Sequence, residues 1–164
     1  MKLYHGSTAI VEQPRILETQ RLLDFGKGFY TTTNREQAER WSIIKQKRLG
    51  ETAKSIVTVY EFNDLLLTSQ SLNLMRFNQA SEEWLDFVVQ NRNEDINHGY
   101  DIVIGPVAND TLYQTFTLYE AGILTKPETI ARLKVHPLFD QVSFHSHKAL
   151  DHLKFIDAYP VKAN

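Results

Sequence analysis

Two short strings hold the residues best suited to chemistry. Tyr4-His5-Gly6-Ser7 sets an imidazole beside a glycine and a hydroxyl. Asp24-Phe25-Gly26-Lys27-Gly28-Phe29-Tyr30-Thr31-Thr32 runs from a glycine-flanked turn into an aromatic, β-branched segment. Gly6 lets a ligand approach the peptide N–H and C=O directly. A polar ring, bare backbone and an aromatic face suit a flat, amide-bearing ring carried on a ribose. Each part also has an ordinary reading. A histidine near a strand end is satisfied by one hydrogen bond, and one or both of Gly26 and Gly28 supply positive φ to a turn. Successive strand residues face opposite sides, so only one of Phe29 and Tyr30 faces a ligand.

Other chemistries lack their residues. The glycine turn precedes a strand and has no third glycine, so it is neither a dinucleotide fingerprint nor a Walker loop. His145 and His147, with Asp151 and His152 nearby, acquire no further ligand at metal-binding spacing. No G-x-S-x-G elbow is present. Glu82-Glu83 reads as first-turn charge on a helix, and neither it nor Asp110 forms the opposed carboxylates of a glycosidase.

The elements that position these residues alternate. Lys2–Tyr4 reads as a short strand ending at His5, and Ile10–Leu23 as a loop with irregular structure around Pro14. Gly28–Thr33 has strand composition. Asn34 with Gln37 three residues on resembles a capping box, opening a helix with Ala38, Trp41, Ile44 and the stem of Lys45 on its buried stripe and Gly50 at its end. Ser55–Phe62 alternates as a half-buried strand, and Leu65–Gln79 is mixed. Ser81–Arg92 reads as a helix with Trp84, Leu85, Val88 and Val89 on one face. Asp101–Ile104 is a buried strand closed by Gly105-Pro106. Asn109 or Asp110 caps a helix with the stripe Leu112, Tyr113, Phe116 and Tyr119, stopped by Gly122. A helix from Thr125 to Leu133 precedes Pro137, Gln141–Phe144 is a short strand, and Ser146 caps a last helix through Leu153.

The 164 residues suffice for one domain, residues 1–164, with its own core. Eighteen basic against twenty acidic residues make no electrostatic case for nucleic acid or an anionic membrane. The absence of cysteine removes disulfides, thiolate catalysis and cysteine zinc sites, and suits a reducing cytosol. Met1–His5 lacks a signal-peptide core, and no apolar run approaches membrane-spanning length. The expectation is a soluble, cytoplasmic protein without membrane contact.

Both strings, with Gln37-Ala38 and Trp41, Trp84-Leu85-Asp86-Phe87 and Asn91-Arg92, Tyr100 through Asp110, and Gln141-Val142-Ser143-Phe144, resemble a bacterial domain family of unknown function placed in the ADP-ribosyltransferase superfamily. The resemblance implies an α+β fold with a split, mostly antiparallel sheet and surrounding helices, and NAD as substrate. In the diphtheria-toxin-like branch a histidine, a tyrosine and a glutamate from three strands hold NAD. The resemblance puts these on His5, Tyr30 and Gln141. His5 would bond a ribose hydroxyl, Gly6 would pair the carboxamide, and Tyr30 would stack on nicotinamide. The implied NAD-binding set is His5, Gly6, Ser7, Gly26, Lys27, Gly28, Tyr30 and Thr31, with Lys27 either on a phosphate or solvated in its turn.

Gln141 departs from the family's commoner glutamate. A carboxylate there stabilises the positive charge that develops on the ribose, whereas an amide can only orient the 2′-hydroxyl. Glu120 and Asp110 are the alternative carboxylates. Phe139 replaces the second glutamate of arginine-modifying relatives, which disfavours transfer to arginine. The resemblance implies ADP-ribosyl transfer to a protein or nucleic-acid acceptor, NAD hydrolysis, or a non-catalytic NAD pocket. It also implies a toxin or conflict effector, with an antitoxin or immunity protein as partner. The rival from another class is a protein-interaction module.

Overall fold

The computed structural model describes residues 1–18, 22–50, 52–107, 110–134 and 140–162, without the side chains of 110–113 and 134. Asn109 as a cap, Pro137 and Phe139 lie outside the described residues, as do the side chains of Leu112 and Tyr113.

Strand β1 (Lys2–Ser7) is longer than the sequence suggests, and His5 lies inside it. It pairs antiparallel with β3 (Ile56–Glu61), His5 opposite Thr58 and Gly6 opposite Val57. β3 is buried on both faces rather than half-buried. Val57 and Val59 pack with Ala38 beneath helix α1 (Arg35–Leu49), while Tyr60 enters the main core on the other side. Its outer neighbour is β7 (Lys154–Pro160), which completes an antiparallel three-stranded sheet.

The second sheet runs β2 (Phe29–Thr31), β6 (Asp140–Phe144), β5 (Ile102–Pro106), β4 (Leu74–Arg76). Among the described residues only the β5–β4 pair is parallel. Among the described residues the two sheets meet at the Tyr4–Thr32 bridge, through paired backbone bonds of 2.9 and 3.0 Å. The fold is therefore α+β, with one antiparallel and one mixed sheet. The bridge explains why Leu3 and Phe29 share a core with Ile102, Val142 and Phe144.

Helices cover this frame. Asn34 caps α1 as expected, its Oδ1 accepting from Gln37 N at 2.9 Å. The reciprocal bond of a capping box is not made: Asn34 N donates instead to Thr32 Oγ1 at 3.0 Å. Ser81 caps α2 (Glu82–Asn93), whose Trp84, Leu85 and Val88 are buried. Helices α3 (Asp110–Glu120) and α4 (Lys126–Lys134) follow, and Phe116, Ile130 and Leu133 join Trp84 in a second core. The last helix, α5, is a single turn, His147–Leu150, shorter than expected because β7 begins at Lys154. Among the described residues no helix is long and apolar enough to cross a membrane.

Candidate functional site

Where the sheets meet, the chain leaves a cavity of about 220 Å³. Three elements build it. β1 contributes His5 and Gly6, β2 contributes Tyr30 and Thr31, and β6 contributes Gln141. The register fixes Gln141: Thr31 pairs with Val142, and Gly105 pairs with Gln141. Helix α1 closes the remaining side with Gln37, Trp41, Lys45 and Arg48. Residues separated by up to 136 positions thus converge.

Gly6 is what lets α1 come so close. A methyl built on it would lie 2.1 Å from the Ala38 carbonyl oxygen and 2.9 Å from Ser42 N, both main-chain atoms. The glycine seen in the sequence as an opening for ligand is also the contact point of strand and helix. Its own carbonyl accepts from Lys45 Nζ at 2.7 Å.

His5 Nδ1 lies 2.7 Å from the Tyr30 carbonyl. A carbonyl only accepts, so Nδ1 carries the proton and Nε2 holds a lone pair. The ring stacks on Phe29 at 4.4 Å. Burial, reinforced by the Lys45 charge, pushes its pKa down to about 3, so the imidazole is neutral near pH 7. It can accept a hydrogen bond from a hydroxyl but does not donate a proton.

Phe29 and Tyr30 divide as strand geometry requires. Phe29 enters the main core, and Tyr30 lines the cavity and packs on the second core. The Tyr30 hydroxyl donates to Gly26 O at 2.6 Å and accepts from Phe25 N at 3.0 Å. Burial first, then the Asp24 charge, hold its pKa well above the ordinary value, so the phenol stays protonated. Thr31 Oγ1 is spent on Val142 O at 2.7 Å.

The glycine turn does a different job from the one expected. Ser7, Gly26, Lys27 and Gly28 are not among the residues lining the cavity. Gly26 takes φ +83° and wraps its carbonyl onto Tyr30. A methyl on Gly28 would meet His145 Nδ1 at 2.7 Å, and that ring is held by Lys27 O at 2.7 Å. Lys27 Nζ is paired with Asp95. The turn shapes and supports Tyr30 from outside.

Gln141 is buried, with 7% exposure. Its Nε2 donates to Asp24 Oδ2 at 3.3 Å. Because a carboxylate accepts only, this contact orients the amide and leaves Oε1 as the other end. Asp24 also lines the cavity, and Arg92 Nη1 lies 3.6 Å from its Oδ1. A carboxylate, Asp24, thus lies beside Gln141 at the cavity wall. Glu120 accepts from Asn93 at an exposed site, and Asp110's side chain is outside the described residues.

Sequence reading missed Asp24, Arg92 and Gln37 as site groups, and took Lys45 for its stem alone. Lys45 lines the cavity with its ammonium on the Gly6 carbonyl, and burial, with help from Arg48, lowers its pKa to about 8. The i, i+4, i+7 spacing of Trp41, Lys45 and Arg48 was the available signal, since it places all three on one helix face. Asp24 and Arg92 lie 68 positions apart, with no pattern to link them.

The site defines an α+β protein with a small-molecule-sized cavity where two sheets and a helix meet. The chain belongs to DUF3990, a family described as a protein of unknown function, whose model matches residues 1–155. No curated protein and no solved structure matches it.

Proposed function

We propose that this cavity binds NAD by its nicotinamide-ribose end and that the protein transfers ADP-ribose from it. The observation that carries the reading is the convergence of His5, Gly6, Tyr30 and Gln141 on one cavity with a carboxylate, Asp24, at its wall. Their chemistry suits the ligand. A neutral imidazole accepts a ribose hydroxyl, the Tyr30 ring offers a face to a flat pyridinium, and Gln141 Oε1 accepts a second hydroxyl. Lys45 and Arg48 bring positive charge to the same space, where a diphosphate needs it. They take the role the sequence gave to Lys27.

In the reaction, the bond between ribose C1′ and the nicotinamide nitrogen breaks, and nicotinamide leaves with the bonding pair. Positive charge develops on the sugar, and Asp24 is the negative group available to oppose it. An acceptor lone pair then attacks C1′ and loses its proton to solvent. A protein or nucleic acid as acceptor gives transfer, and water gives hydrolysis. One observation favours a second reading, an NAD pocket without turnover: Asp24 is already shared between Gln141 and Arg92, which dilutes its charge.

The test is release of nicotinamide from labelled NAD by the pure protein, with His5→Ala and Tyr30→Ala as inactive controls. Binding without release supports the pocket reading, and neither binding nor release ends both. Biotin-labelled NAD in a cell extract identifies the acceptor by the molecule that takes the label.

A further inference from the structure

The glycine turn that carries Asp24 to the cavity wall has little rigidity of its own, since Gly26 and Gly28 permit many backbone angles. Its four successive peptides are held instead by side chains from outside it. The Tyr30 hydroxyl accepts from Phe25 N and donates to Gly26 O. His145 Nδ1 donates to Lys27 O at 2.7 Å. The remaining carbonyl, that of Phe25, accepts from His98 Nε2 at 3.2 Å, across 73 positions of sequence. His98 belongs to the segment after α2, whose Asp95 also pairs with Lys27 of the turn.

We infer that His98 is a positioning residue for Asp24: as a neutral ring it fixes, through the Phe25 carbonyl, the turn that sets the Asp24 carboxylate at the cavity wall, and a second proton on the ring releases that turn. The role holds whichever ligand the cavity takes. His98 is not among the residues lining the cavity, so it acts through Phe25 and touches no ligand. Its two contacts define its proton. A carbonyl only accepts, so Nε2 carries the hydrogen, and Tyr100 N donates to Nδ1 at 3.1 Å, so Nδ1 holds the lone pair. A proton added at Nδ1 meets the Tyr100 N–H, and the ring loses its seat. The His145 ring lies edge-on at 4.6 Å, Phe87 of α2 packs on another side at 5.4 Å, and Tyr100 lies beside it at 5.5 Å. Lys27 and Asp95, one of each sign, answer each other where the same segment meets the turn. Burial holds the His98 pKa below the ordinary histidine value, which keeps the ring in the required form near pH 7.

The Gln141 side-chain amide reports where Asp24 sits, because its Nε2 donates to Asp24 Oδ2. In nitrogen–proton correlation spectra of the wild-type protein, acidifying from about pH 7 to about pH 5.5 should move that amide signal in step with the His98 ring signals. His98→Gln keeps an N–H donor for the Phe25 carbonyl and does not titrate. It should leave the Gln141 signal at its wild-type position near pH 7 and abolish the acid shift. His98→Leu removes the donor, so the signal should be displaced already near pH 7. A merely structural role lowers the melting temperature of His98→Leu and leaves the Gln141 signal in place, which overturns the inference. An acid shift of equal size in wild type and His98→Gln overturns it as well. Should the variants fail to fold, the wild-type titration decides: a Gln141 signal that follows the His98 ring supports the role, and one that ignores it overturns the role. None of these readouts uses NAD, so failure here leaves the NAD reading standing, and absence of NAD binding leaves the role of His98 to be decided by the spectra.

Discussion

Lowering the pH from 7 to 5 should destabilise this protein by an amount set chiefly by two imidazoles, with His98, whose pKa burial also lowers, adding in the same direction. Burial pushes the His5 pKa down to about 3 and the His145 pKa down to about 4. Both rings are held through Nδ1 by backbone carbonyls, those of Tyr30 and Lys27. In the unfolded chain each returns to roughly 6.5. Between these values unfolding takes up protons, so stability is full above about pH 6.5 and falls as pH drops. At pH 5 the loss is roughly 2 kcal/mol per ring relative to pH 7, or about 4 kcal/mol for both as an upper figure, since water in the cavity screens part of it. The window avoids the carboxylates whose pKa values fold down, Asp64, Glu83, Asp101 and Glu128, which lose their contribution only below about pH 5. Urea unfolding at the two pH values measures the difference. His5→Asn and His145→Asn, whose amides can still donate to those carbonyls without titrating, should each remove about half of it. Equal stability at pH 7 and 5, or a slope unchanged in both variants, would refute the reasoning. It would mean that the rings are charged in the native state, and His5 Nε2 would then be a donor and not the acceptor the site requires.

Gly6→Ala should lower stability by at least about 1–3 kcal/mol in urea unfolding, because its methyl meets main-chain atoms of α1 that cannot yield without lifting the helix. A change within about 0.5 kcal/mol would contradict the packing described. Tyr30→Phe leaves Gly26 O and Phe25 N–H without their side-chain partner and should cost about 1–3 kcal/mol in thermal or urea melts, while retaining the aromatic face for ligand. Asp24→Asn should slow nicotinamide release by up to about 10³, the worth of a unit charge some 4 Å from the sugar at an effective dielectric of about 20. Adding Gln141→Glu to that variant moves the charge one side chain over and should restore part of the rate; no recovery would count against a shared electrostatic role.

Local chemistry was legible where a few residues decide it. Asn34 capping α1, Ser81 capping α2, Gly50 ending α1 and the β6 strand all follow from side chains within one turn of the boundary. The convergence of His5, Tyr30 and Gln141 was reached through resemblance, and the register of β2 on β6 is what brings Gln141 there. What stayed hidden depends on contacts far apart in sequence. β4 has three residues, too few to show alternation, and exists because it pairs with β5. β7 has Phe155 and Ile156 both partly exposed, so no face is marked in its sequence. His5 lies mid-strand because β3 continues the ladder past it to Ser7. The glycine turn looked like a ligand loop, yet its tight approach is to His145 and Tyr30, which no local pattern announces.

Calorimetric titration of the wild-type protein with NAD tests the central claim most directly. The account predicts saturable one-to-one binding that disappears in His5→Ala and Tyr30→Ala. No heat of binding, together with an unchanged melting temperature at millimolar NAD, would contradict it.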